Sequence, residues 1–224
     1  MRVAIPLLAA LAMFTLVGCT SGDDDGTATP VPVGQRFVTA EEAPGTRPDP
    51  VETRQTTEDF DEFIATLSER AVDPDKEEMT EVFQEADFKS AGVDTRFYGE
   101  THTPGKSTHA VSSFIELESQ DGATSALDWL ETDLRKPCPG SCAVRTNTFD
   151  VDELPGGRGV HASATAEDIK RVGTSDQQPF ESYWVGFTNG DIAYTVDLFG
   201  RPGSVTEEQA LQIASAYHDR LTGG

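Results

Sequence analysis

The segment "ESYWVGFTNGDIAYTVDLF", residues 181–199, leaves the chain few options. Two runs of alternating side chains enclose Asn189-Gly190, a dipeptide that accepts the two positive φ angles of a type I′ turn. Tyr183, Val185 and Phe187 then share one face of the first strand, with Trp184 on the other. The returning strand puts Ile192, Tyr194, Val196 and Leu198 on one side, Ala193 and Phe199 on the other. Both faces are partly apolar, as in a sheet covered fully on one face and in part on the other. Trp184, beside the small Gly186 and Ala193, is either a second-layer core residue or the floor of a concave binding site.

The rest of the chain repeats the alternation of helical and strand periods. "TTEDFDEFIATLSERAV" places Phe60, Phe63, Ile64 and Leu67 at helical spacing, with Thr56 or Thr57 as N-cap. "DPDKEEMTEVFQEADF" and "DGATSALDWLETDLRK" read as two further helices, and "TEEQALQIASAYHDRL" as a last one, opened by Thr206 and Gln209. "AVRTNTFDV" and "GRGVHASATA" alternate as strands. In the second, Val160, Ala162, Ala164 and Ala166 form a small-residue face, which sets His161 on the opposite face, expected near Trp184. The predicted order is α-α-β-β-α-β-β-β-β-α, an α+β domain around a mainly antiparallel sheet.

"GETHTPGKST", residues 99–108, carries the letters of a phosphate-binding loop. Five residues separate Gly99 from Gly105 where that motif has four, and a period-two run, not a helix, follows Lys106. The stretch reads as a hairpin turn, and no nucleotide is expected there.

The first residues carry an address. Arg2 precedes an uncharged run over residues 3–18, too short at about 24 Å to cross a ~30 Å hydrocarbon core. The run closes on "LVGC", Leu16 to Cys19, which resembles the lipobox of bacterial lipoproteins. The resemblance implies a signal peptide over residues 1–18 and a diacylglycerol on Cys19, holding the chain at the extracytoplasmic face of a membrane. More than one acyl chain makes such an anchor stable. Residues 19–56, rich in Pro, Thr, Gly and acids with one apolar patch at Phe37-Val38, read as a tether. The α+β domain is then expected over residues 57–224. Of three cysteines, lipid on Cys19 leaves Cys138 and Cys142 in "CPGSC". The Pro-Gly between them favours a turn that closes a disulfide, read as a structural clip, with a redox-active pair as the alternative.

Charge narrows the partners. With Lys+Arg 17 against Asp+Glu 39, a surface this acidic repels nucleic acid and favours cationic partners. His102, His109, His161 and His218 show no helical metal-ligand spacing, although His102 and His109 would face each other across a hairpin. No metal or other cofactor is expected. No serine stands in a G-x-S-x-G frame, so an enzyme is unsupported.

The closing stretch "FTNGDIAYTVDLFG", with Phe187, Gly190, Tyr194 and Val196, resembles the ending of actinobacterial extracellular lipoprotein and kinase sensor domains. That resemblance implies an antiparallel sheet with helices and names no ligand. The leading expectation is a non-catalytic domain that binds a small molecule or envelope component, with Trp184, His161 and Tyr183 as candidate contacts. A protein-interaction module that docks a basic envelope partner through its acidic surface is the alternative, and an envelope hydrolase comes third.

Overall fold

The structure is a computed structural model that describes residues 31–51, 54–70, 76–100, 107–137, 143–173 and 178–223. A short 3-10 turn (Val33–Gln35) precedes β1 (Thr46–Pro48), β2 (Gln55–Thr57), α1 (Phe60–Arg70), α2 (Lys76–Glu85), β3 (Ser90–Tyr98), β4 (His109–Glu116) and α3 (Gln120–Leu134). There follow β5 (Arg145–Phe149), β6 (Arg158–Ala164), α4 (Ala166–Val172), β7 (Phe180–Asn189), β8 (Ile192–Gly200) and α5 (Glu207–Thr222). One eight-stranded sheet runs β1-β3-β4-β8-β7-β6-β5, with β2 also paired to β3. Every described pairing is antiparallel, so the molecule is the α+β domain expected.

The central hairpin forms one step later than the Asn-Gly signal placed it. Asn189 pairs with Ile192, which makes Gly190 and Asp191 the loop, and only Gly190 (φ 62) takes a positive angle. A glycine at the first central position meets the type II′ requirement rather than that of type I′. Moving the loop by one residue moves each partner by two, so every side chain keeps the face read from the sequence. Phe187 meets Tyr194, and Val185 meets Val196.

Helices cover the two faces unequally. On one, α5 lays Ala210, Ile213, Ala214, Tyr217 and Leu221 against Val185, Phe187, Tyr194, Val196 and Leu198. On the other, α1, α2 and α3 bring Phe63, Met79, Phe83, Ala126, Leu127 and Trp129 over Ala91, Ile115, Val160, Trp184 and Ala193. The caps are local. The Ser119 hydroxyl accepts from Gly122 N at α3, and Thr206 and Gln209 close a reciprocal box at α5. Asp59, not Thr56 or Thr57, caps α1 by accepting from Glu62 N at 2.9 Å, because Thr56 and Thr57 belong to β2. α4 replaces the end of the strand expected through Ala166. Thr165 and Asp168 form its capping box and Gly173 (φ 81) stops it.

The largest correction concerns the tether. Residues 31–51 and 54–56, assigned from composition to a spacer ending at residue 56, are part of the domain. Phe37 and Val38 are each 1% exposed. The Phe37 ring meets Phe114 edge-on at 5.4 Å, and Val38 N donates to Ser112 Oγ at 3.1 Å. Gly92 leaves the space that Phe37 needs, since a Cβ there would stand 2.7 Å from the Phe37 ring. From α5, Tyr217 Oη donates to Arg36 O, and Arg220 donates to Gln35 O (2.6 Å), Phe37 O (2.8 Å) and Glu42. With carbonyls of residues 35–37 held by Tyr217 and Arg220 and with Phe37, Val38 and Ala43 fully buried, the segment offsets an ordering cost that its composition alone would not. The signal segment, Cys19, Cys138, Cys142, His102 and the turn at residues 101–106 lie outside the described residues. β3 and β4 on either side of these residues pair antiparallel, with Phe97 opposite His109, so a strand follows Lys106 and not a helix.

Candidate functional site

On the three-helix face, α3 packs on β6, β7 and β8, while α1 leans on β2 and on α2. The helix layer therefore touches β3 and β4 only in part, at Ala91 and Ile115. The sheet residues beneath are small or hydroxylic: Val93, Val111, Ser113 and Thr195. Ser113 and Thr195 hydrogen-bond to each other at 2.6 Å, which satisfies both hydroxyls without filling the gap. A cavity of about 400 Å³ remains. That lies within the roughly 300–1,000 Å³ range of small-molecule sites.

Its walls are mostly apolar. α1 contributes Phe63 and Leu67, α3 contributes Trp129, Leu130 and Leu134, and the sheet contributes Ile115 and Trp184. The chain has two tryptophans, and both line this cavity. Trp184 stands across β7 and β8 from Asp197 and across β6 and β7 from Val160. Its six-membered ring lies over Gly186, where a Cβ would stand 2.6 Å from the ring and 2.9 Å from a Leu127 methyl. Gly186→Ala is expected to cost about 1–3 kcal/mol through overpacking and to tilt the indole. Calorimetric melting with a Trp emission spectrum checks this, and an unchanged spectrum at unchanged stability would refute the packing described.

Polar groups are few and placed. Trp129 is buried, meets Phe83 edge-on at 5.6 Å, and its indole N–H has no hydrogen-bond partner among the described residues. Asp133, one turn further along α3, is 3% exposed and lies 3.6 Å from Lys136 Nζ. Burial works against the Lys136 charge, but the hydrogen bond to Glu78 and the fields of Glu78 and Asp133 outweigh it and hold its pKa above 10.5. Asp197 accepts a hydrogen bond from Ser182. Glu62, on the first turn of α1, accepts from Thr57 Oγ1 at 2.7 Å.

The three residues singled out in the sequence separate here. Trp184 lines the cavity. His161 and Tyr183 are cross-strand partners on the opposite, α5-covered face, so His161 does not meet Trp184. Val160 opposite Trp184 decides this, since residues paired across strands share a face. The His161 and Tyr183 rings stack at 4.5 Å, and both reach Glu181 Oε1, at 3.3 and 3.2 Å. Gly203 N donates to the other Glu181 oxygen at 2.7 Å. Burial, then the Glu181 charge, raises the Tyr183 phenol above 10.0. His109 sits 3.5 Å from Asp49, and neither belongs to the described cavity wall. Among the described residues no three His, Cys, Asp or Glu side chains converge as metal ligands, and no helix is long and apolar enough to cross a membrane.

Sequence reading missed Trp129, Asp133, Ser113 and Thr195. Trp129 and Asp133 stand four apart on α3, and that i, i+4 spacing was the available signal. Ser113 and Thr195 belong to different strands, and only their pairing brings them together.

No family model matches the chain, and no curated protein matches it. Among solved structures, the extracellular domain of PknH from Mycobacterium tuberculosis is similar, with a TM-score of 0.51 at 11% identity over 85% of this chain and 94% of that one. At that identity the likeness is one of fold: this chain shares its α+β architecture with an extracellular domain of a mycobacterial protein.

Proposed function

We propose that the protein is an exported lipoprotein, held by lipid on Cys19 at the extracytoplasmic face of a membrane, whose domain binds a small molecule or envelope component without catalysis. The observation that carries this reading is the apolar cavity of about 400 Å³ between α1, α3 and the sheet, walled by both tryptophans. Its few polar groups would orient a ligand, as small-molecule sites commonly do. The "LVGC" segment and the likeness in fold to an extracellular domain support the address.

The test of binding is native mass spectrometry of the mature protein purified from its own exported fraction. An adduct lost on denaturation, and absent in Trp184→Ala, is expected. Refilling should shift the Trp emission, because no tryptophan lies elsewhere in the chain to dilute the signal. A protein that stays adduct-free and whose emission ignores envelope extracts would sink the reading. For the address, Cys19→Ser should move the protein from the membrane fraction to the medium, scored by fractionation and by the mass of the N-terminal peptide.

A further inference from the structure

The floor of the cavity is one straight row across the sheet. The register sets Gln55 of β2 beside Val93, Val93 beside Ser113, Ser113 beside Thr195 and Thr195 beside Gly186. With neighbouring strands about 4.8 Å apart, the row from Gln55 to Thr195 is about 14 Å long. Larger side chains stand in the rows on either side, Ile115 in one and Trp184 in the other. Phe63 and Leu67 of α1 and Trp129 and Leu130 of α3 form the roof. At the β7 end the Trp184 ring lies over Gly186 beside Leu127 and closes the row. At the β2 end Gln55 and Glu62 are exposed, so the space is an apolar channel open at that end.

Polar groups deeper in the channel already have protein partners. Ser113 and Thr195 bond to each other at 2.6 Å, Asp197 accepts from Ser182, and Asp133 lies beside Lys136. Neither carboxylate is free, and the Trp129 N–H is itself buried out of solvent reach. A polar group carried into the channel would lose its water and find no partner, which weakens binding about tenfold or more. Methylenes lose nothing there and leave water. Resting on the binding reading above, we infer that the ligand is a single-chain amphiphile whose hydrocarbon chain lies along the channel. Its head group stays in water at the open end, beside Gln55 and Glu62. Affinity then grows with chain length and depends little on the charge of the head.

The test uses 1-hexanol, 1-octanol and 1-decanol on the mature protein, by Trp emission and calorimetry below their aggregation concentrations. Each added pair of methylenes is expected to tighten binding about tenfold. Octylammonium and octyl sulfate, at a salt concentration that screens the acidic surface, should bind within a few-fold of octanol. Ser113→Leu fills the floor and should weaken octanol about tenfold. Should that variant fail to fold, Leu67→Phe at the half-buried roof is expected to weaken octanol by a few-fold. Thr195→Val keeps the shape and removes a hydroxyl, so octanol binding should hold or tighten. Affinities that ignore chain length, a charged head that gains tenfold over octanol, or octanol binding lost in Thr195→Val would each overturn the chain-in orientation and leave the binding cavity standing. If no probe moves the emission while the native protein still carries an adduct, the amphiphile falls alone. With neither probe nor adduct bound, both readings fall.

Discussion

A chain that begins at residue 57 is expected to lose its cooperative unfolding transition, while one that begins at residue 31 keeps it. The shorter chain has no Phe37, Val38 or Ala43, all fully buried in the α5-side core. Removing a buried Phe side chain costs about 3–5 kcal/mol by itself. A whole domain is stable by only about 5–15 kcal/mol. The cut also strips β1 and β2 from β3, baring a long sheet edge, and leaves Ser112, Glu116 and Arg220 without the partners that Val38, Arg36 and Glu42 supply. Thermal melting followed by circular dichroism, with a dye that reports exposed apolar surface, reads the difference. In the full chain, Phe37→Ala should show the milder form, a loss of about 3–5 kcal/mol. Should the chain from residue 57 melt as sharply and as high as that from residue 31, the N-terminal segment is ornament and the packing argument fails.

Arg36→Met is expected to cost about 3 kcal/mol near neutral pH and much less in acid. The Arg36 guanidinium is buried, lies over the Phe114 ring at 5.1 Å and donates to both Glu116 oxygens, at 2.6 and 3.4 Å. Ser90 Oγ donates to Glu116 Oε2 at 2.6 Å. The methionine would keep much of the apolar stem but leave a largely enclosed carboxylate without its countercharge, which is the expensive way to break such a pair. The hydrogen bond from Arg36 holds the Glu116 carboxyl below its ordinary 4.5, against the opposing effect of burial and with help from Ser90. A depressed folded-state value means that the stabilisation is complete above 4.5 and drains as pH falls through the lower, folded value. The variant keeps only the smaller part of it that Ser90 and Lys89 supply. Its deficit against the parent should therefore shrink as pH falls below 4.5 through the lowered folded value, read in chemical denaturation. Arg36→Met combined with Glu116→Gln should recover much of the loss, since replacing both members of a buried pair is often close to neutral. A deficit that does not change with pH would show that lost packing, not the ion pair, is responsible.

Most of the sheet and four of the helices are legible because their apolar residues keep a strict period over a turn or more. Tyr183, Val185 and Phe187 against Tyr194, Val196 and Leu198 sort into faces by alternation alone, and the pairing bears this out. Residues 31–57 defeat the same reasoning. Their anchoring rests on two adjacent apolar residues and on Arg220, roughly a whole chain away, and no window of local sequence contains both ends. α4 escaped because seven residues scarcely establish a period, although Thr165 and Asp168 carry the cap in plain letters. For the cavity, Trp184 was visible as the large residue on the less covered face. The hollow itself was not, since it arises from where α1 and α3 come to rest, and that depends on contacts between helices distant in sequence.

The clasp of α5 on residues 35–42 also sets an order of assembly. Tyr217 and Arg220 sit 181 and 185 positions beyond the carbonyls of Arg36 and Gln35 that they hold. A chain delivered N-terminus first, whether from a ribosome or through a membrane pore, exposes Phe37 and Val38 long before their last partners emerge. The opening segment must wait, threaded but undocked, until almost the final residues arrive, and the latch shuts at the end of delivery. Contacts so remote in sequence form slowly because the intervening chain must first be ordered. Until then the opening segment stays undocked, and the domain becomes rigid only once α5 has closed on it.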